Sequence, residues 1–196
     1  MLPWLALLVV LLAACAPTAE RAVPPAALDF KPAELRQPAL MLRVTFGPGN
    51  FSPSDRAALA TSYEGTLLDG LNARALLARD VTRVQDGKLD AKAALARARE
   101  VGADHAVLVD VRVEQSAAVF CRDSRRAFRA AATVWSQSLE VLRASDGARR
   151  LAVDPEALAV TDIDADCDDP RASRRRTGDE TVGEAVNRLL TRLLRS

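Results

Sequence analysis

The chain has 196 residues, of which 27% are charged and 49% apolar, and its formal net charge is +1. That balance belongs to a globular protein, and the length suits one domain plus an accessory segment. A charge so near zero argues against broad electrostatic binding of nucleic acid or of an anionic lipid surface.

At the N-terminus, Leu5 to Ala14 is an unbroken apolar run. It is too short to span a bilayer, which takes about 20 apolar residues as a helix. An apolar run in this place, ending in small residues, is the pattern of a secretory signal. The run closes as Leu12-Ala13-Ala14-Cys15. These residues resemble the lipobox of bacterial lipoproteins, in which the signal is cut before the cysteine and the new terminal cysteine is acylated. The resemblance implies a signal peptide over residues 1–14, acyl chains such as palmitate on Cys15, and attachment to a membrane through them. Ala16, rather than an aspartate, follows the cysteine. By similarity to the enterobacterial sorting rule, this favours the outer membrane, facing the periplasm.

Residues 15–39 read as the lipidated cysteine and a spacer. Five of the ten prolines fall there: Pro17, Pro24, Pro25, Pro32 and Pro38. Proline lacks a backbone donor and fixes φ, so this stretch suits neither a helix nor an inner strand. An extended spacer of this kind reaches about 75 Å at ~3.1 Å per residue.

Residues 40–196 read as one α/β domain. In Leu40–Phe46, Leu40, Leu42, Val44 and Phe46 alternate with other residues, predicting a half-buried strand. Ser52, Pro53 and Asp55 then supply a cap, a first-turn proline and the capping-box partner of a helix to about Asn72. Ala60, Tyr63, Leu67, Leu68 and Leu71 form its apolar stripe. Ala75–Val84 reads as a second strand with Leu77, Val81 and Val84 inward. Asp90 caps a second helix, with Ala91, Ala94, Leu95, Ala98 and Val101 buried and Gly102 as its C-terminal cap. Ala106–Val113 is a third strand, Ala127–Leu142 a long fourth, Ser145-Asp146-Gly147 a hairpin turn, and Arg149–Val160 a return strand interrupted at Pro155. Asp162–Arg176 reads as a charged loop, and Asp179–Leu194 as an amphipathic helix. The order β-α-β-α-β-β-β-α predicts a mixed sheet of about five strands, with right-handed crossovers that place the helices on one face.

The stretch Val101-Gly102-Ala103-Asp104-His105-Ala106-Val107-Leu108-Val109, set after a strand-helix-strand-helix run, is similar to the group comprising the TolB N-terminal domain, the curli secretion protein CsgG and the LpoB-type activators of penicillin-binding proteins. The resemblance covers about Leu40 to Val113. It implies a non-enzymatic interaction domain in the cell envelope with a protein partner.

His105, the only histidine, would serve a catalytic triad only with a serine and an aspartate brought to it. Its neighbour Asp104 points to the opposite face of a strand, and no Gly-x-Ser-x-Gly elbow exists. His105 is therefore read as a hydrogen-bonded residue at a strand entry. One histidine and two distant cysteines make no zinc cluster. Asp162, Asp164, Asp166 and Asp168 alternate as in a calcium loop, but Cys167 and Ser173 stand where such a loop takes Gly and Glu. The arginines at 171, 174, 175 and 176 can instead neutralise these acids locally, and cation binding by residues 162–169 stays open. With Cys15 acylated, Cys121 and Cys167 remain. In an oxidising compartment an even pair predicts a disulfide. In the expected topology Cys121 follows the third strand and Cys167 the fifth, with both strand ends on one sheet edge.

The reading is thus a lipid-anchored envelope lipoprotein with a non-catalytic protein-interaction or assembly domain, without cofactor or nucleic acid. The alternative is a subunit of an oligomeric outer-membrane secretion or transport complex.

Overall fold

In the computed structural model, which describes residues 30–121 and 126–194, the chain folds as a mixed α/β domain, as expected. Cys15, the expected signal peptide and residues 16–29 lie outside the described residues. The elements are β1 (Ala39–Phe46), α1 (Pro53–Asn72), β2 (Asp80–Arg83), α2 (Ala91–Glu100), β3 (His105–Cys121), β4 (Arg126–Arg143), β5 (Arg149–Val153), β6 (Val160–Thr161), β7 (Ile163–Asp164), β8 (Arg174–Arg175) and α3 (Gly178–Leu194). The main sheet has six strands in the order β2-β1-β3-β4-β5, with β6 also on β4. β1 is parallel to both β2 and β3, and the rest is antiparallel. Among the described residues, no helix is long and apolar enough to cross a membrane.

The helices pack on both faces of the sheet, not on one. Leu40, Leu42, Val107, Val109, Trp135 and Val141 face α1 and α3, which bury Tyr63, Leu67, Leu71, Leu189 and Leu190 against them. The alternate residues Ala39, Met41, Ala106, Leu108 and Leu142 face α2, which buries Ala94 and Ala98 there with Leu95 partly buried against them. The cause is the order of the strands. The chain passes from β1 outward to β2, then back across β1 to β3. Two right-handed crossovers in opposite directions must use opposite faces.

Local chemistry sets the helix ends as predicted. The Ser52 hydroxyl accepts from the Asp55 amide, and the Asp55 carboxylate accepts from the Ser52 amide. Gly102 takes φ 67° after α2, where a residue without a Cβ avoids a steric penalty. Gly70 lets α1 and α3 approach closely, since a Cβ there would lie 2.5 Å from Cδ1 of Leu190.

Three differences from the expected elements have physical causes. The second strand is confined to Asp80–Arg83, and Leu77 is 56% exposed rather than inward. The segment before it is occupied in ending α1, through Ala75 at φ 58° and a bond from the Leu76 amide to the Leu71 carbonyl. The third strand runs on to Cys121, because β4 pairs with it as far as Cys121↔Arg126. The docked domain also begins before residue 40: Phe30 and Leu35 are buried in the main core, on either side of a short 3-10 turn at Pro32–Glu34.

Cys121 and Cys167 are joined in a disulfide, with Cα atoms 5.9 Å apart. The bond is as predicted, but the route to it differs. β5 ends opposite Leu139, near the C-terminal end of β4 and far from the β3–β4 hairpin tip. After the break at Pro155 the chain rejoins β4 through β6 and follows it toward the hairpin tip. Cys167 then lies between β7 and β8, a small ladder inside the expected loop, and Cys121 is the last residue of β3.

Candidate interaction surface

The α2 side of the sheet changes character along its strands. Under α2 the cross-strand row is Ala39, Ala106 and Leu142. Two residues on it is Met41, Leu108 and Glu140. Beyond the end of α2 come Arg43, Asp110 and Ser138, then Thr45, Arg112 and Ser136. Because strand side chains alternate, these rows share one face and repeat about every 6.6 Å along the strands, with neighbours about 4.8 Å apart. Among the described residues, no helix covers the polar rows. They line an open cleft of about 700 Å³. A second hollow of about 260 Å³ adjoins it through Asp110 and Ser138 and continues to Glu140 and Arg149.

The charges in the cleft are matched in pairs. Nε of Arg43 donates to Oδ1 of Asp110 at 2.9 Å, its Nη2 donates to the other oxygen, and its Nη1 donates to the Gly87 carbonyl. The hydrogen bond to Asp110 raises the Arg43 pKa above the ordinary guanidinium value, so this charge is permanent. Arg112 meets Glu114 at 2.9 Å, and Arg149 pairs with Glu140. The Thr45 hydroxyl donates to the Val111 carbonyl at 3.1 Å. The hydroxyls of Ser136 and Ser138 have no partner among the described residues. A site for a small molecule encloses its ligand among mostly apolar side chains. This surface is open, polar and already neutralised, which suits a broad polar partner.

The residues singled out in the sequence lie elsewhere. His105 is buried (4% exposed) at the start of β3, and both ring nitrogens lack a hydrogen-bond partner among the described residues. The expected hydrogen bond is thus absent there. Burial lowers its pKa, with Glu34 and Asp104 acting to raise it and Arg150 and Arg143 to lower it. Asp104 is exposed beside it in sequence. In the acidic stretch, Asp162 pairs with Arg175 and Asp164 with Arg176, while one carboxylate oxygen of Asp166 accepts the amides of Asp168 and Asp169. Arg175 and Arg176 thus balance Asp162 and Asp164, while Arg174 turns to Glu180 and no arginine pairs with Asp166 or Asp168 among the described residues. Arg43, Asp110, Ser136 and Ser138 were not singled out as a site in the sequence. Their signal was the alternation of polar residues in strands whose other face is apolar.

Together these features define a mixed α/β domain with one closed apolar face and one partly open polar face. No protein-family model matches the chain, and no curated protein matches its sequence. Among solved structures, it is similar to the PelC dodecamer from Paraburkholderia phytofirmans at 16% identity and TM-score 0.39, over 81% of this chain and 89% of that one. A putative neuraminyllactose-binding hemagglutinin homolog from Helicobacter pylori aligns at 11% identity and TM-score 0.36, over 86% and 90% of the two chains. Lipoprotein GNA1162 from Neisseria meningitidis aligns at 8% identity and TM-score 0.36, over 81% and 100%. Likeness this distant assigns no activity, ligand or assembly.

Proposed function

We propose that this is a lipid-anchored protein of the bacterial envelope whose domain binds another envelope protein without catalysing a reaction. The observation that carries the reading is the uncovered pair of rows, Arg43–Asp110–Ser138 and Thr45–Arg112–Ser136. Their ion pairs are formed before a partner arrives, and their serine hydroxyls are free to bond to it. Anchoring follows from Cys15, whose acyl chains each contribute about 0.8 kcal/mol per buried CH₂. The sequence after the cysteine favours the outer membrane.

Two measurements test it. Cys15→Ser is expected to leave the protein soluble or unprocessed. If that variant fractionates with membranes as the parent does, with its signal still removed, lipidation is not the anchor. A photo-crosslinking residue at Ser138 is expected to form a covalent protein adduct in intact cell envelopes, while the same residue at Asp179 on α3 gives none. Equal labelling from both positions removes the polar face from the proposal.

The alternative, a subunit of an oligomeric outer-membrane complex, draws on the distal β3–β4 ribbon. Past Ser116 no strand pairs with the outer edge of β3 among the described residues. A native mass many times that of one chain favours that reading.

A further inference from the structure

A separate surface lies on the opposite face, at the edge of the sheet. β1 pairs with β2 only as far as Leu42↔Arg83, yet β1 continues to Phe46. The Leu42 carbonyl accepts the Val84 amide on the β2 side, and the Gly47 amide donates to Val113 on the β3 side. In a strand with parallel neighbours, the N–H and C=O of one residue point the same way and alternate along the chain. The backbone groups of Val44 and Phe46 therefore point outward, where no strand pairs with them among the described residues. An open edge is a template for another strand, and proteins usually guard it with a lysine, proline or bulge. The outward stretch Val44–Phe46 carries no charge, proline or bulge, and Arg43 before it is turned to Asp110 on the other face.

Beside this edge, between β1 and α1, is a hollow of about 210 Å³. Leu42, Val44, Ala57 and Ala60 give it an apolar lining, with Glu64 and Arg83 at one end. The small side chains of α1 leave the room that an incoming side chain would fill. Arg83 is 59% exposed and pairs with Glu64. Arg56 lies over the Phe46 ring, 5.9 Å from its centre, and no ion pair satisfies it among the described residues. The hollow is thus flanked by arginines at the levels of Leu42 and Phe46, four residues apart on β1. A second copy joined edge to edge by a two-fold axis would run antiparallel and set each Arg83 against the other copy's Arg56. Like charges then oppose that dimer at both ends.

We propose that the β1 edge binds an extended peptide segment of another protein, added as a strand beyond β2. Its side chains alternate faces, so three residues spaced by two share the α1 side. The central one is a branched aliphatic residue seated in the hollow, and the outer two are acidic, meeting Arg83 and Arg56. Main-chain bonds to Val44 and Phe46 supply affinity and the hollow supplies specificity. The proposal adds a partner chemistry to the interaction reading but does not depend on the polar cleft.

The test uses the full chain in detergent micelles and a labelled, capped heptapeptide, Thr-Glu-Thr-Val-Thr-Glu-Thr, with a control in which both glutamates are lysine. Fluorescence anisotropy is expected to show saturable binding with Kd below about 1 mM, and at least tenfold weaker binding of the lysine peptide, on the order of one lost charge contact. Val44→Pro removes an outward amide together with the valine side chain that lines the hollow, and is expected to weaken binding about tenfold or more. Arg56→Glu is expected to reverse the preference between the peptides. Should Val44→Pro fail to fold, amide exchange in the unaltered chain gives the same reading, with peptide slowing Val44 and Phe46 selectively. Absence of saturation, equal affinity for the two peptides, or unchanged exchange at these amides overturns the proposal. A concentration-dependent dimer that protects the same amides without peptide assigns the edge to a second copy and also overturns it. Crosslinking at Ser138 reports on the other face, so the two readings fail separately.

Discussion

The two faces of the sheet are made by the same strands yet do different work. On β4, Trp135 and Gln137 face α1 and α3, while Ser136 and Ser138 face the cleft. The Trp135 and Tyr63 rings stack with centres 5.8 Å apart. The Tyr63 hydroxyl donates to Oε1 of Gln137, and Nε2 of Gln137 donates to the carbonyls of Leu158 at 2.9 Å and Ala185 at 3.1 Å. One side chain thus ties α1, α3 and the turn after β5 together. Burial drives the Tyr63 pKa far above the ordinary phenol value, so it stays a neutral donor. One residue away, the serines bond to nothing in the described protein. The closed face ties this polar group into the fold, whereas the open face pairs its charges and leaves its two serine hydroxyls without partners among the described residues.

The largest effect should come from breaking the closed face. Trp135→Ala deletes a side chain only 2% exposed and leaves a cavity beneath Tyr63. A loss of about 3–5 kcal/mol is expected in denaturant unfolding. A loss under 1 kcal/mol would mean that this face is not the stabilising one.

Beyond both faces the ribbon has little core: Val119, Ala132 and Ile163 are its buried apolar residues, with Phe128, Ala130 and Ala165 against them. There the disulfide substitutes for packing. Closing a loop of 46 residues removes denatured-state freedom worth about 2–4 kcal/mol. The double variant Cys121→Ser with Cys167→Ser should lose about that much stability, with faster amide exchange in the ribbon and none near Trp135. In the parent, denatured without reductant, these two cysteines should contribute no reactive thiol.

These contrasts also explain what was legible in the sequence. The closed face was readable because its signals are local and repeated: the Tyr63–Leu67–Leu71 stripe, the capped start at Ser52, and the Val182–Leu193 stripe of α3. The disulfide was readable once Cys15 was set aside as acylated, which leaves an even pair in an oxidising compartment, although the strand argument behind it misplaced Cys167. The β7–β8 ladder was not readable, because two-residue strands carry no period. Nor was the burial of Phe30 and Leu35, since prolines around them read as spacer. The open cleft needed the partner strands: Arg43 reads as an ordinary outward residue until β1 is set against Asp110 of β3. The assignment of helices to one face failed because it followed each crossover singly and not the reversal between them.

His105 is the exception on the closed side, a buried titratable ring with no hydrogen-bond partner among the described residues. Burial is the largest influence and lowers its folded pKa, so the folded state favours the neutral ring. Glu34 from the N-terminal turn and Asp104 oppose this shift, while Arg150 of β5 and Arg143 of β4 reinforce it. The sign follows: His105 costs no stability above its unfolded pKa of about 6.5, and stability falls as pH drops below that value. His105→Leu should flatten the stability profile between about pH 7 and 5, read by urea unfolding at several pH values. If parent and variant fall in parallel, other groups govern that window.

The smallest change in stability should come from the open face. Ser136→Ala and Ser138→Ala each remove a hydroxyl that has no partner among the described residues. The change strands no buried donor or acceptor, and the Arg43–Asp110 and Arg112–Glu114 pairs remain. Stability should therefore stay within about 0.5 kcal/mol of the parent. The double variant should nevertheless give fewer envelope adducts, when the crosslinker is moved to Thr45 in the same cleft, because the hydroxyls are the groups left for a partner to use. A loss of more than about 1 kcal/mol would place the serines within the fold's own hydrogen bonding. Unchanged stability with unchanged adducts would leave the hydroxyls without a role in recognition and shift the contact to the guanidinium of Arg112, which is 60% exposed.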